Sequence, residues 1–557
     1  MTIARTLATG TWRDPSAPTG ERVSDLLAQL TTEEKIAQLY GVWVGVDAAS
    51  GEVAPHQHDL ARPEVSWDDL IRDGIGQLTR AYGTAPVAPA EGARAVARSQ
   101  RQVVAAGRHG IPAMVHEECL TGLAAWQAPV YPSPLCWGAT FDPDLIERMG
   151  AQIGAAMRRL GVHQGLAPVL DVLRDPRWGR AEETIGEDPY LVGMIGSGYV
   201  RGLESAGVVA TLKHFAGYSA SRGGRNLAPV SIGPRELADV LLPPFEMALR
   251  AGARSVMNSY SDLDGLPPAA DPGLLTGLLR ETYGFAGTVV SDYFSVAFLH
   301  TLHGVAGTRG EAAALALRAG IDVELPTADC YGGPLLAALA DGTVDIAVAD
   351  RAVRRVLTQK CELGLLDPDW SPDPEAAAGP VTLDDSESRS LARDVARRSV
   401  VLLANQGTLP LAPGQRITVA GPRSHEASAM LGCYSFPQHV GVHHPGLPLG
   451  IEVPTVLDAL RADPAGYTVS FAEGCPVLGG DDAGLAAAAA VTSAADVCVA
   501  VLGDRSGLFG RGTSGEGCDA ADLRLPGRQE ELLEALLATG TPVVLVLLAG
   551  RPYDLSR

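Results

Sequence analysis

The sequence predicts an α/β protein in two parts: an N-terminal (β/α)8, TIM-like barrel and, after a connector, a second α/β layer domain. Three observations carry that reading. Short β-branched runs recur through the first two thirds of the chain, each followed by a stretch of helical spacing. Alternating strands and helices make a parallel sheet, and eight such units over roughly 250 residues or more fit a closed barrel better than an open sheet. The alternation breaks at DPDWSPDPEAAAGP (367–380), where proline withholds ladder donors and carboxylates prefer water, so an exposed connector is expected. Buried-strand runs then resume. At 557 residues the chain is long enough for two or three domains of ~100–200 residues.

The barrel strands are expected at 38–44, 75–79, 111–116, 165–172, 208–214, 254–259, 287–292 and 321–325, the first two on the weakest runs. Amphipathic helices are expected at 142–160, 235–251 and 309–319, where apolar residues recur every three to four positions. Asp142 and Pro143 supply an N-cap and a first-turn proline for the first of them. The boundaries are then 1–366 for the barrel, 367–396 for the linker and a connecting helix whose run spans 385–398, and 397–557 for the second domain. Its strands are expected at 398–403, 416–420, 497–502 and 542–549, with helical spacing at 455–462 and 527–538. Because the sequence stops one short step beyond the last strand run, this domain is expected to be C-terminally incomplete, with an edge that favours homo-oligomers.

Composition removes several classes of function. With 44 basic against 65 acidic side chains the formal charge is −21, a field that repels phosphate backbones and anionic lipid heads. Neither nucleic acid nor a membrane is expected as a partner. The first twenty residues lack the apolar core of a secretory signal, and the longest apolar run, 542–549, is too short for a bilayer of about 30 Å, so a cytoplasmic location is expected. The eight cysteines are scattered without a C-x-x-C pair and read as reduced thiols. His56-Gln57-His58-Asp59, His116-Glu117-Glu118 and His443-His444 lack the spacing of a zinc helix such as H-E-x-x-H, so no metal or cofactor is expected.

Three strand runs end in ionisable groups: Lys213-His214, Ser291-Asp292-Tyr293 and His116-Glu117-Glu118. In a (β/α)8 barrel the C-terminal strand ends form the active-site face, so these groups converge there. Only three of the 44 cationic side chains are lysine (35, 213 and 360), which points to a compact ammonium at position 213, suited to a hydroxyl-rich ligand. A second candidate is GLFGRGTSGEGCDAADLRL (507–525), where five glycines surround Arg511 and Glu516. It lacks both G-x-x-x-x-G-K-[ST] and G-x-G-x-x-G, so it reads as a mobile loop carrying a carboxyl group rather than a phosphate cradle.

The stretches LAPVLDVLRDPRWGRAEETIGEDPYLV (166–192), KHFAGY (213–218), SVMNSYSDLDG (255–265), VVSDYFSV (289–296) and SGEGCDAADLRLPGRQ (514–529) closely resemble glycoside hydrolase family 3. The match runs in order from about residue 20 to the end. The resemblance implies a barrel followed by an α/β sandwich, with a metal-free active site between them, and a retaining, exo-acting β-glycosidase of a small carbohydrate. It makes Asp292 the nucleophile and Glu516 the acid/base. It also implies that Arg180, Lys213, His214, Arg225 and Tyr260 hold sugar hydroxyls and that Tyr293 walls the ring.

Retention needs an ionised carboxylate about 5–5.5 Å from a protonated one. Cations around Asp292 are expected to lower its pKa, while a loop closing over substrate would raise that of Glu516. Glu118, where glucose-specific relatives carry aspartate, resembles the xylosidase branch: its extra methylene would occupy the space of a hydroxymethyl group. That favours β-D-xylose, with β-D-glucose as the alternative, since one methylene discriminates by only about 1–3 kcal/mol. The branch that cleaves N-acetylglucosaminides has a His-Asp dyad after its Lys-His motif, and AGYSASRGGRN (216–226) has none. A truncated sugar-binding protein without activity is the alternative of another class.

Overall fold

The computed structural model describes residues 10–43 and 66–556. The His56-Gln57-His58-Asp59 run and Val44 lie outside the described residues.

The first domain is built on seven parallel strands that follow one another in sequence order: β1 (Gly41–Trp43), β2 (Gln77–Thr79), β3 (Met114–Glu117), β4 (Gln164–Gly165), β5 (Val209–Phe215), β6 (Ser255–Asn258) and β7 (Thr288–Val290). The eighth expected strand, 321–325, is present as single parallel bridges. Val323 pairs with Val290 on one side, and Glu324 pairs with Tyr40, just before β1, on the other. The sheet thus curls back on itself. Helices Pro143–Arg159 and Arg309–Ala319 form as expected, the first with the Asp142 carboxylate accepting from the Leu145 backbone N–H. The expected helix over 235–251 is instead broken. Pro243 and Pro244 offer no N–H, so the ladder loosens into a wide turn over Leu237–Leu241 and restarts at Pro243–Arg250.

The barrel interior holds a connected polar layer among aliphatic ones. Gln164 donates to Thr211 Oγ1 at 2.9 Å and to Ser255 Oγ at 3.0 Å, and Gln77 donates to Gln164 at 3.2 Å. At the N-terminal ends of the strands the buried ammonium of Lys360 donates to Gln38 Oε1 and to the carbonyls of Ile75 and Pro112 at 2.6–3.3 Å. Burial pushes Lys360 down from the usual lysine value to about 7. Between that value and about 10.4, where the unfolded chain still holds its proton, the unfolded state binds more protons, so stability rises with pH through that window. Urea unfolding at a series of pH values should show this rise, and Lys360→Met should flatten it; an unchanged slope in the variant would assign the rise elsewhere.

The segment 367–380 is strapped to the barrel rather than free. Arg101 pairs with Asp373, Arg159 pairs with Glu375 at 3.3 Å, and Ala376 is buried. The helix Ser386–Arg398 follows, as expected. The second domain carries a four-stranded parallel sheet in the order β11-β10-β8-β9, with β8 (Arg416–Ala420), β9 (Thr468–Ala472), β10 (Val497–Gly503) and β11 (Val543–Leu548). Two expectations fail here. The run at 398–403 is not a strand, and Val400 and Leu403 are 78% and 80% exposed: its apolar composition has no neighbouring strand among the described residues to pair with. β9 was not foreseen, because TVSFA is a half-exposed edge strand without a continuous apolar run. The eight cysteines are all unpaired, as expected. Among the described residues no helix is long and apolar enough to cross a membrane.

Candidate active site

The C-terminal ends of the barrel strands face the second domain, and between them lies a cavity of about 210 Å³. Asp292, Glu516, Glu118, Arg180, Lys213, His214, Tyr260 and Tyr293 all line it. Arg225 does not. Its side chain is exposed at the surface, and the adjacent Asn226 and Leu227 take the wall position expected of it.

The floor begins in the polar layer of the barrel. Gln77 Oε1 lies 2.6 Å from His116 Nδ1, and His116 Nε2 lies 3.1 Å from the Tyr293 hydroxyl. Tyr293 packs edge-on against Trp43 at 5.2 Å, and the Tyr260 hydroxyl donates to the Tyr293 carbonyl at 2.8 Å. Burial holds His116 down to about 3, so the ring is neutral. These contacts leave the Tyr293 ring little freedom beside Asp292.

Lys213 and His214 are adjacent on β5 yet both reach the cavity. A regular strand would send them to opposite faces, but the pairing of β5 with β6 shifts register between Leu212 and Phe215. Lys213 pairs with Glu118 at 3.1 Å and sits 4.8 Å over the ring of Tyr434. His214 is held by Asp171, whose Oδ2 lies 2.7 Å from Nδ1. Burial, reinforced by Arg180 and Lys213, keeps His214 well below the usual histidine value and therefore neutral.

Asp292 follows β7. Its Oδ1 accepts the Tyr293 backbone N–H at 2.7 Å. Oδ2 has no hydrogen-bond partner among the described residues and lies 3.7 Å from His214 Nε2. One oxygen is thus anchored, and the Tyr260 hydroxyl stands beside the same carboxyl. The expectation that cations dominate this carboxyl is reversed. Burial raises Asp292 to about 7, against the pull of Arg180 and Lys213 and with the Glu516 carboxylate adding to the rise. The neutral His214 contributes no charge.

Glu516 arrives from the other domain, on the glycine-rich loop after β10. Its Oε2 accepts the Tyr434 hydroxyl at 2.8 Å, and Arg180 reaches Oε1 at 3.4 Å. Arg180 is itself gripped in bidentate fashion by Glu183, at 2.7–2.8 Å. The two backbones touch where the loop crosses the barrel: the Gly515 N–H donates to the Gly179 carbonyl at 2.8 Å. A Cβ on Gly179 would stand 2.2 Å from the Gly515 oxygen, so a side chain there would lift the loop.

Sequence reasoning missed Arg80, Asp171, Glu183 and Tyr434. Asp171 and Glu183 stood inside the LAPVLDV and WGRAEE stretches, and their place in those motifs is the signal that could have found them. Arg80 and Tyr434 carried no local signal, because each becomes part of the site only through contacts made by distant elements.

Comparison with known proteins agrees with this arrangement. Residues 31–359 match the model of the glycosyl hydrolase family 3 N-terminal domain, and residues 400–557 match that of its C-terminal domain. A β-xylosidase of Formosa agariphila is 35% identical over 488 residues, 83% of this chain and 65% of that protein. A periplasmic β-glucosidase of Salmonella typhimurium is 32% identical over 572 residues, 96% of this chain and 68% of that one. The chain thus spans about two thirds of the length of these relatives. Among solved structures, a β-glucosidase from Erythrobacter marinus superposes with a TM-score of 0.84 at 34% identity, covering 98% of this chain and 73% of that one. A β-glucosidase from Listeria innocua in complex with glucose gives 0.82 at 28%, covering 96% and 70%. With both domain models matched in order along most of its length, the chain belongs to glycosyl hydrolase family 3.

Proposed function

We propose that the protein is a retaining, exo-acting β-glycosidase that removes a terminal β-D-xylose from the non-reducing end of oligosaccharides or glycosides. The observation that carries this reading is the meeting of two carboxyl groups, Asp292 and Glu516, from different domains over one small cavity lined by Arg180, Lys213 and His214. At about 210 Å³ it is smaller than the ~300–1,000 Å³ of drug-sized sites, and it suits one sugar ring rather than several.

In the first step Asp292 Oδ2 attacks the anomeric carbon while Glu516 delivers its proton to the departing glycosidic oxygen. In the second, Glu516 takes a proton from water, which displaces Asp292 from the same carbon and restores the β configuration. The polar side chains lining the cavity, Lys213, Glu118 and Arg180 among them, then act as hydroxyl partners. The names of the relatives support both xylosidase and glucosidase activity. Glu118, fixed by Lys213 at 3.1 Å, favours the pentose. The second reading, a β-glucosidase, has the glucose-bound Listeria innocua structure in its favour.

The deciding experiment compares kcat/KM on aryl β-xyloside and aryl β-glucoside and follows the first-formed anomer by NMR. The expected result is a xyloside preference with a β-configured first product. A tenfold glucoside preference would select the second reading, and an inverted product would exclude the two-step mechanism.

The pH profile carries a further expectation. Attack requires ionised Asp292, and burial raises that group to about 7 in the free enzyme, so kcat/KM should fall as pH drops through that region. An acid limb near 4, the ordinary carboxylate range, would show that the cations outweigh burial.

A further inference from the structure

Glu182 belongs to the barrel, on the short turn Gly179–Glu183, yet among the described residues the hydrogen bonds its carboxylate accepts come from the second domain. Its Oε1 accepts the Cys433 backbone N–H at 2.6 Å and the Ser506 hydroxyl at 2.7 Å. Its Oε2 accepts the Ser514 hydroxyl at 2.9 Å, with Ser506 also in reach at 3.0 Å. The carboxylate is 4% exposed and does not line the cavity. Opposite it, Gly550 approaches so closely that a Cβ there would lie 2.8 Å from Glu182 Oε2 and 2.1 Å from Ser514 Oγ.

The donors are not scattered contacts. Cys433 precedes Tyr434, whose hydroxyl donates to Glu516 Oε2. Ser514 stands two residues before Glu516, and Ser506 pairs with Ser514 across the base of the same loop. One buried carboxylate therefore fixes both segments that determine where the Glu516 carboxyl sits. Neighbours on the same turn complete the attachment, since Gly179 accepts from Gly515 and Arg180 reaches Glu516.

We propose that Glu182 is a positioning residue for proton transfer. It registers the second-domain loop on the barrel so that Glu516 faces the leaving-group oxygen, while taking no part in sugar binding or in the bond changes themselves. This rests on the reading of Glu516 as the acid/base and adds what holds that group in place. A buried carboxylate accepting three different donors is worth most where it has no substitute, and loosening it moves Glu516 relative to Asp292 by more than catalysis tolerates.

The test is a leaving-group series run on Glu182→Gln, Glu182→Ala, Glu516→Ala and the unaltered enzyme, using 2,4-dinitrophenyl, 4-nitrophenyl and phenyl glycosides of the better sugar. Dinitrophenolate departs without a proton, whereas phenolate needs one. If Glu182 positions the acid, its variants lose at least tenfold more kcat/KM on the phenyl than on the dinitrophenyl substrate. The double variant Ser506→Ala/Ser514→Ala, which keeps the carboxylate and removes two donors, should show the same bias and covers the case in which Glu182→Ala does not fold. Equal losses across the series, or no loss, would overturn the proposal. If Glu516→Ala itself shows no leaving-group bias, the reading of Glu516 fails instead, and the two failures are thereby told apart.

Discussion

Asp292→Ala should abolish turnover, lowering kcat by roughly 10⁴-fold or more, the scale on which removal of a covalent nucleophile acts. The structure explains why no neighbour replaces it. Asp171 is turned to His214, Glu183 is locked onto Arg180, and Glu118 is paired with Lys213, so each nearby carboxylate already has a partner. The space vacated beside His214 and Tyr260 admits a small anion. Azide added to the variant with an activated aryl glycoside should enter from the side Asp292 occupied and yield a product of inverted configuration. Activity within a hundredfold of the unaltered enzyme would remove Asp292 from the mechanism.

Glu516→Ala should act differently, because it removes a proton donor rather than a bond-forming group. General acid–base catalysis contributes about 10²–10⁴-fold, so kcat on a phenyl glycoside should fall by that much. A dinitrophenyl substrate should still react in the first step and then stall as the glycosyl-enzyme, for want of a base to activate water. Azide needs no base, so it should rescue the second step and give a product of retained configuration. The opposite stereochemistry of the two rescued products separates the roles of the two carboxylates. The same anomer from both variants would contradict the assignment.

Much of the barrel was legible in the chain because its signals are local. Each β-branched run followed by a helical repeat needs only its own residues to be recognised, and six of the eight expected runs hold strands in the structure, while 165–172 meets β4 at Gly165 alone and 321–325 forms single bridges. Asp292, Lys213, His214 and Glu118 were found in the same way, by standing at strand ends. Arg225 was misplaced because it sits on a loop whose path is set by packing: Gly224 lies against the Trp178 backbone, and the Asn226 N–H is taken by Asp519 of the other domain. The 398–403 run shows the converse. Its composition is that of a buried strand, but a strand exists only where another offers it hydrogen bonds.

The sequence by itself determined the parallel α/β alternation and pointed to the segments that carry Asp292 and Glu516, since those depend on short-range periodicity and on motifs readable one segment at a time. The tertiary structure alone decided that Asp292 is raised rather than lowered, because desolvation is a property of everything packed around a group and not of its charged neighbours. It alone, too, brought Glu182 and Tyr434 onto the segments that carry Glu516. Their contacts join residues 251, 332 and 82 positions apart, and no local pattern encodes a partner that only folding brings within 3 Å.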